Sequence, residues 1–255
     1  MITRYAAWID GQGLQDIDPT LFITDIVEEE PDAPVEAVAH AGYSGSRVIS
    51  RERRSLSVTI RFLIREYDVM RRRSILQKVR DWAHDGWLTT NEHQDQRLRV
   101  MCTKLPVISS ALKWTEELGL TLTAYEQPYW QEQYAVVASA TGTEGEISLR
   151  PMGTVPCRME IDVKAGASPI GDVTIRVGEQ AISFSSLGLK ANETMQISYN
   201  DQGIMMAQIG NDGVLSKRTP TSADDLWLAP NADNRISFSA NNPVTVTVKA
   251  RGLWR

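Results

Sequence analysis

Cysteine and histidine are scarce in this 255-residue sequence, which contains two cysteines and three histidines. Cys102 and Cys157 lie in opposite halves without a Cys-x-x-Cys spacing, so we expect buried free thiols rather than a disulfide. His40, His84 and His93 form no His-x-x-x-His or His-Glu-x-x-His arrangement. The scarcity and spacing of both residue types predict that the protein has no metal site.

Long apolar runs and an excess of positive charge are also missing. No segment approaches the roughly 18 to 20 apolar residues of a membrane-spanning helix, and the opening MITRYAAWIDG contains no apolar core of a signal peptide. We therefore expect no membrane association, and folding in the cytoplasm of the cell that makes the protein. The net charge of −5 disfavours a dedicated nucleic-acid-binding protein, because such proteins are usually basic.

The motifs of common enzyme classes are missing or incomplete. The sequence has neither a P-loop nor a Gly-x-Gly-x-x-Gly fingerprint. Ser44 lies in GYSGS, which lacks the second glycine of a nucleophile elbow. Asp224 and Asp225 are adjacent, so they cannot face each other as the carboxylates of a glycosidase do. We predict that the protein is not an enzyme and has no catalytic, cofactor-binding or metal-binding residues.

The first half of the chain contains strands and one helix. Residues 55–65 (SLSVTIRFLIR) alternate between apolar and polar side chains, which predicts a half-buried strand. A helix is predicted from Asp68, a good N-cap, to Ala83, with Gly86 just beyond its end. Further strands are predicted over residues 87–90, 97–105 and 118–126. The alternating segment LTLTAYEQPYW then ends at Pro128, which lacks a backbone donor.

The second half shows no helical periodicity. Short alternating segments separated by glycine and asparagine turns predict strands over residues 158–164, 173–177, 195–199, 204–209, 235–238 and 244–249. Such a pattern is typical of a β-sandwich or a jelly roll. The change of periodicity predicts a mainly β protein of two domains, residues 1–133 and 134–255, with a linker or domain crossing between Pro128 and Gly145.

The order of these features resembles that of the distal tail proteins of long, flexible-tailed phages. The first similarity is the strand that ends in the Pro-Tyr-Trp corner of residues 128–130. The second is the arginine-flanked strand, the charged helix with Trp82 near its end, and the three strands that follow. The third is the closing segment LAPNADNRISFSANNPVTVTVKARGLWR, although the family sometimes has Gly-Asn where this chain has NADN. The opening of the second domain, residues 142–156, is also similar.

The resemblance implies a structural component of the virion tail tip, assembled in the bacterial host. It implies an N-terminal β-rich domain that forms a homo-oligomeric ring, usually a hexamer, and an outward-pointing C-terminal domain with a jelly-roll or galectin-like β-sandwich. The partners would be the tail tube protein and the baseplate hub, and DNA would pass through the ring channel without sequence-specific binding. The resemblance implies no cofactor.

Positive charge is concentrated between residues 47 and 80, a segment that contains eleven Lys or Arg but only three acidic residues. One hypothesis for this local excess of +8 is an electrostatic surface that binds DNA or an acidic neighbouring protein. The other hypothesis is that the charges lie on two separate solvated faces, one of a strand and one of a helix. Arg72 differs from the others because the helical wheel places it inside the apolar stripe. Its charge must reach solvent, pair with a carboxylate or meet another subunit.

Distal tail proteins resemble one another in having an arm near residues 40–54 that reaches the adjacent subunit, which suggests candidates for subunit contacts. The basic candidates are Arg51, Arg53, Arg54 and Arg72, and the acidic candidates are Glu28, Glu29, Glu30 and Asp32.

The rival prediction is a carbohydrate-binding jelly-roll module used in host adhesion, which would need exposed aromatic side chains in the second half. The available aromatic residues are Phe184, Tyr199, Trp227, Phe238 and Trp254. Most of them occupy alternating strand positions that suit a core better than a binding surface.

Overall fold

The structure is a computed structural model that describes residues 5–29, 35–39, 46–51, 55–107, 117–200 and 203–255, with the backbone only at 35–39 and 46–51. The chain divides into two compact units, Met1–Trp130 (unit 1) and Gln131–Arg255 (unit 2). Both units are mainly β, and the described residues contain one α-helix, in unit 1. The predicted fold class, a β-rich protein with a helix in its N-terminal half, is confirmed.

Unit 1 is built on one antiparallel sheet. Its strands are β1 (Ala7–Ile9), β2 (Gln12–Gly13), β3 (Leu21–Glu29), β4 (Val35–Ala39), β5 (Ser46–Arg51), β6 (Leu56–Ile64), β7 (Gly86–Thr90), β8 (Gln96–Lys104) and β9 (Leu118–Ala124), and its helix is α1 (Val69–Trp82). The sheet order is β2-β1-β7-β8-β9-β6-β3, while β4 and β5 pair separately with each other.

Strand β6 forms the centre of the unit 1 core, as its alternating sequence predicts. In the sheet β6 lies between β3 and β9, with Ile60 opposite Ile26 on β3 and Leu120 on β9. The apolar face of β6 is buried. The polar face carries hydroxyl pairs, including Ser57 with Thr123 at 3.1 Å. The alternation of apolar and polar residues therefore determines both the pairing register of β6 and which of its faces is buried in the core.

The helix begins where Asp68 predicts, because the Asp68 carboxylate accepts a hydrogen bond from the Met70 amide at 2.9 Å. The buried side is formed by Ile75, Leu76, Val79 and Trp82. Val69 lies on the same side of the helix by its spacing from Leu76, but it is 40% exposed because it lies in the first turn.

The helix ends at Trp82, and Gly86, which was predicted just beyond the helix end, is the first residue of β7. A Cβ at Gly86 would lie 2.4 Å from the Asp10 carboxylate oxygen and 2.7 Å from the Ile9 side chain. Glycine is therefore required here by the close approach of β1 rather than by the helix terminus.

Unit 2 contains a second antiparallel sheet. The strands of this sheet are β11 (Val136–Leu149), β12 (Cys157–Ala165), β13 (Val173–Val177), β14 (Gln180–Phe184), β15 (Thr194–Tyr199), β16 (Met205–Ile209), β17 (Asp212–Gly213), β18 (Trp227–Leu228) and β19 (Asn234–Ala250). The order is β14-β13-β19-β12-β15-β16-β17, with β11 on β19 and β18 on β12. Two short strands outside it, β10 (Trp130–Glu132) and β20 (Leu253–Trp254), pair with each other.

The two strands predicted at residues 235–238 and 244–249 are one continuous strand, β19. Its first half pairs with β13, its second half pairs with β12, and β11 follows it along both halves. Pro243 lies where β19 exchanges one partner for the other, and the register of β11 shifts beside it, between Gly142 and Glu144. A proline at this irregular position interrupts no regular ladder, so the strand continues.

The segment predicted as a linker or domain crossing, between Pro128 and Gly145, contains the boundary between the two units, but its residues 136–145 form part of β11 rather than a loop. The two compact units meet between Trp130 and Gln131. Side chains in the first half of β11 are exposed or half-buried, so the segment lacks the apolar alternation that a strand normally shows. For this reason the sequence of residues 136–145 indicates a linker rather than a strand.

The assignment of independent domains remains a prediction, and a fragment of residues 131–255 tests it. We expect this fragment to melt cooperatively with a β-type circular dichroism spectrum, because β11 and its partner β19 are both complete in it. A fragment of residues 140–255 is the control and should melt at a lower temperature, because it loses the residues that pair with the end of β19. A molten or insoluble 131–255 fragment would contradict the assignment.

Candidate functional site

Only some of the predicted subunit-contact residues lie in the part of the chain that the structure describes. Glu28 and Glu29 are at the end of β3, and Arg51 ends β5, whose side chains are not described. Arg72 lies in α1. The other four candidates, Glu30, Asp32, Arg53 and Arg54, lie outside the described residues, as do residues 42–45 of the GYSGS segment. The pairing of the arginines with the acidic residues therefore stays a prediction.

Glu28 belongs to a polar cluster inside unit 1. One of its carboxylate oxygens lies 2.8 Å from Nε2 of His93, and the other accepts a hydrogen bond from the indole nitrogen of Trp130 at 3.3 Å. The His93 ring stacks on Trp130 with 4.0 Å between centroids and 11° between planes. Nδ1 of His93 lies 2.8 Å from the side-chain oxygen of Gln96. Both imidazole nitrogens thus face oxygen acceptors.

The surroundings of His93 favour its charged form. Burial alone lowers the pKa of His93, but the hydrogen bonds to Glu28 and Gln96 and the charges of Glu28 and Glu92 outweigh it and raise the pKa above 6.5. The protonated imidazole can donate to both acceptors at once. The cluster therefore ties the end of β3 to the segment between β7 and β8 and to Trp130, which is buried.

The cluster predicts a pH-dependent contribution to the stability of unit 1. Because the folded-state pKa of His93 is raised, its contribution is complete below about pH 6.5 and is lost as the pH rises through the folded-state value. Replacing His93 by alanine should lower the free energy of unfolding by about 1 to 2 kcal/mol at pH 6 and by less at pH 9. Urea unfolding followed by tryptophan fluorescence at both pH values measures this.

The control for His93→Ala is His84→Ala, because His84 is more exposed and lies 3.6 Å from the Asp10 carboxylate. We expect little change in stability for this variant at either pH, since exposed ion pairs contribute about 0 to 1 kcal/mol. Equal losses at pH 6 and pH 9 for His93→Ala would show that the cluster acts by packing alone.

Arg72 is buried within unit 1, at 5% exposure, as its position in the apolar stripe predicts. Its guanidinium donates hydrogen bonds to the backbone carbonyls of Glu66 and Tyr67, the latter at 2.9 Å. These carbonyls belong to the segment between β6 and α1. Arg72 therefore anchors the helix to the preceding loop, whereas its predicted contact with another subunit stays a prediction.

The two thiols are not activated as nucleophiles, and the described side chains form no metal-binding cluster. Both cysteines are free; Cys157 is buried as predicted, whereas Cys102 is only half-buried. Burial raises the pKa of Cys157 to about 11 and that of Cys102 above 9.0. A thiol with a raised pKa is a poor nucleophile. Within the described ranges, no group of three or more His, Cys, Asp or Glu side chains could hold a metal ion, and no helix is long and apolar enough to span a bilayer.

The aromatic residues that a carbohydrate-binding module would need are mostly unsuitable. Phe184 and Phe238 are buried in the core of unit 2. Trp227 is 38% exposed, and the Arg158 guanidinium lies 4.5 Å from the centroid of its ring. Arg158 also lies over Tyr199 and forms an ion pair with the Asp225 carboxylate at 3.1 Å. This arrangement is a cation–π stack in which Trp227 keeps part of its surface in solvent.

Comparison of the fold with solved structures gives a match over almost the whole chain. The crystal structure of the Dit (gp 19.1) protein of phage SPP1, described as a paradigm of the hub adsorption apparatus in phages that infect Gram-positive bacteria, matches with a TM-score of 0.70. The match covers 97% of this chain and 98% of that chain at 9% sequence identity. The predicted distal tail protein fold is thus confirmed as a fold.

A chain in the structure of the phage p2 baseplate, in its activated conformation with Sr, also aligns with this protein. It covers 97% of both chains at 6% identity, but its TM-score of 0.46 is too low to support an argument. No protein-family model matches the sequence, and no curated protein matches it.

Proposed function

We propose that this protein is a structural component of a phage tail, a distal tail protein whose ring joins the tail tube to the baseplate hub. The observation that supports the proposal is the fold shared with SPP1 Dit across both units, 97% of the chain. The order of sequence features supports it independently, because the same family was indicated by residues spread over the whole length of the chain. The proposed role needs no catalysis and no cofactor.

In the proposed assembly, unit 1 forms the ring and unit 2 points outward, toward peripheral adhesion parts. A ring requires a heterologous interface that closes after a fixed number of copies, six in this proposal. The central channel would let DNA pass without base contacts. Mass photometry of the protein with its tube and hub partners should show a hexamer, whereas a persistent monomer in the presence of both partners would contradict the proposal.

The arginines at residues 51, 53 and 54 are proposed to meet acidic residues of the adjacent subunit. Since the Glu28 carboxylate already binds His93 and Trp130 in its own unit, the proposed partners are Glu29, Glu30 and Asp32. Exposed ion pairs contribute about 0 to 1 kcal/mol each, so the cluster would set the register of the subunits more than their affinity.

Reversing Arg51, Arg53 and Arg54 to glutamate should block ring assembly without lowering the melting temperature of the monomer. Reversing the three acidic partners to lysine in the same chain should partly restore assembly, as measured by mass photometry. The control reverses three exposed arginines of unit 2: Arg150, Arg176 and Arg235. Normal assembly of the first variant would show that residues 51–54 take no part in the interface.

Carbohydrate binding by unit 2 is a second candidate, and the partly exposed Trp227 beside Arg158 and Asp225 is the observation that favours it. Aromatic rings with neighbouring polar groups are suited to stack on sugars. Glycan-array binding that is lost in Trp227→Ala would support this role, and absence of binding by the native protein would remove it.

A further inference from the structure

The outer edge of β11, an unusually long strand, has no partner strand among the described residues. β11 has 14 residues, and in the described part of the chain it pairs with β19 and with no other strand. No backbone hydrogen bond from a described turn or loop reaches it either. Such an edge is a template for a further strand unless it is blocked.

The two halves of β11 differ in the protection of this edge. Residues 144–149 carry Glu144 and Glu146, which are charges of the kind that discourage further pairing. Residues 136–142 read VVASATG and contain no charge and no proline. Their side chains are small and exposed or half-buried, and Val137 is 55% exposed. The first half is therefore open to pairing.

The open half is nearly symmetric about Ser139. Ala138 and Ala140 flank the serine, and the β-branched Val137 and Thr141 lie one residue further out. When such a strand pairs with its own copy in antiparallel orientation, alanine faces alanine and valine faces threonine. Pairs of β-branched residues stabilise antiparallel strands, and no pair among residues 136–142 brings two charges together.

We propose that residues 136–142 of β11 pair in antiparallel orientation with the same residues of a second copy of this chain, about a two-fold axis at Ser139. The interface is isologous, because the same strand serves on both sides. In this register Val137 lies opposite the copy's Thr141, and Glu144 lies beyond the paired segment. The unit 2 sheets of the two copies then form one continuous sheet. The contact is separate from the proposed ring interface and does not depend on the proposed function.

The register makes a specific prediction for cysteine crosslinking of the full chain. In a Cys102→Ser background, Ser139→Cys should give a disulfide-linked dimer with copper phenanthroline, because residues opposite each other have Cβ atoms about 4.5 to 5.5 Å apart. Val137→Cys alone should crosslink poorly, whereas a mixture of the Val137→Cys and Thr141→Cys chains should crosslink well. Ser237→Cys is the control, since it is exposed on the interior strand β19.

Sedimentation of the native protein should show a monomer–dimer equilibrium that Ser139→Lys shifts several-fold toward monomer, because two lysines then face each other across the axis. Ser237→Lys should leave the equilibrium unchanged. The proposal is overturned if Ser139→Cys crosslinks no better than Ser237→Cys, or if it crosslinks to another tail protein instead of to its copy. Crosslinking that is equal at residues 137, 139 and 141 would overturn the register.

Discussion

Replacing Arg72 by methionine is expected to lower the free energy of unfolding of unit 1 by about 2 to 4 kcal/mol, since hydrogen bonds from a charged donor contribute about 1.5 to 3 kcal/mol each. Arg72 is buried in the helix face, and its guanidinium holds the carbonyls of Glu66 and Tyr67 in the segment before α1. Methionine keeps the apolar length of the side chain but donates no hydrogen bond. The decrease in the free energy of unfolding should therefore measure how strongly Arg72 holds the segment between β6 and α1.

The control for this substitution is its neighbour, Arg71→Met. Arg71 is exposed and forms ion pairs with Glu66 at 3.2 Å and with Asp18 at 3.7 Å. Exposed pairs of this kind contribute about 0 to 1 kcal/mol, so Arg71→Met should change stability little. Urea unfolding of the full chain measures both variants. A neutral or stabilising Arg72→Met would show that the cost of burying the charge equals or exceeds its hydrogen bonds.

Replacing Asn234 by alanine is expected to destabilise unit 2 by about 2 to 4 kcal/mol, since each buried group left without its partner costs about 1 to 3 kcal/mol. The Asn234 side chain is buried at the start of β19. Its amide oxygen accepts from the Ala229 amide at 2.8 Å, and its amide nitrogen lies 2.9 Å from the carbonyls of Ala229 and Ala232 and 3.3 Å from that of Leu149.

A matched control is Asn242→Ala, because Asn242 is only partly buried and its side chain donates one hydrogen bond, to the Pro169 carbonyl at 2.8 Å. We expect this variant to lose about 1 kcal/mol or less. Thermal melting followed by circular dichroism compares the two variants. Equal losses would mean that the turn before β19 holds its shape without the Asn234 side chain.

Local periodicity predicted the elements whose burial follows one face. Strand β6 and helix α1 were predicted close to their observed bounds because their apolar residues recur at the period of a strand and of a helix. The same reasoning divided β19, because Pro243 is a local break signal whose effect disappears when the strand changes partners. It also missed the first half of β11, whose side chains are too exposed to alternate.

Contacts between distant residues had no signal in the sequence. Glu28 is 65 residues from His93 and 102 residues from Trp130, and no local sequence pattern links the three residues. The helical wheel predicted that Arg72 is buried, but not that two backbone carbonyls accept its hydrogen bonds, because backbone acceptors are the same at every residue. The fold was therefore more predictable than the polar contacts within it.

We propose above that copies of this chain close into a ring at the end of a tail tube. The decisive experiment is negative-stain electron microscopy of the purified protein mixed with its proposed tube and hub partners. We expect closed six-membered rings with a central hole, stacked between tube and hub. Single copies or open chains in the presence of both partners would contradict it.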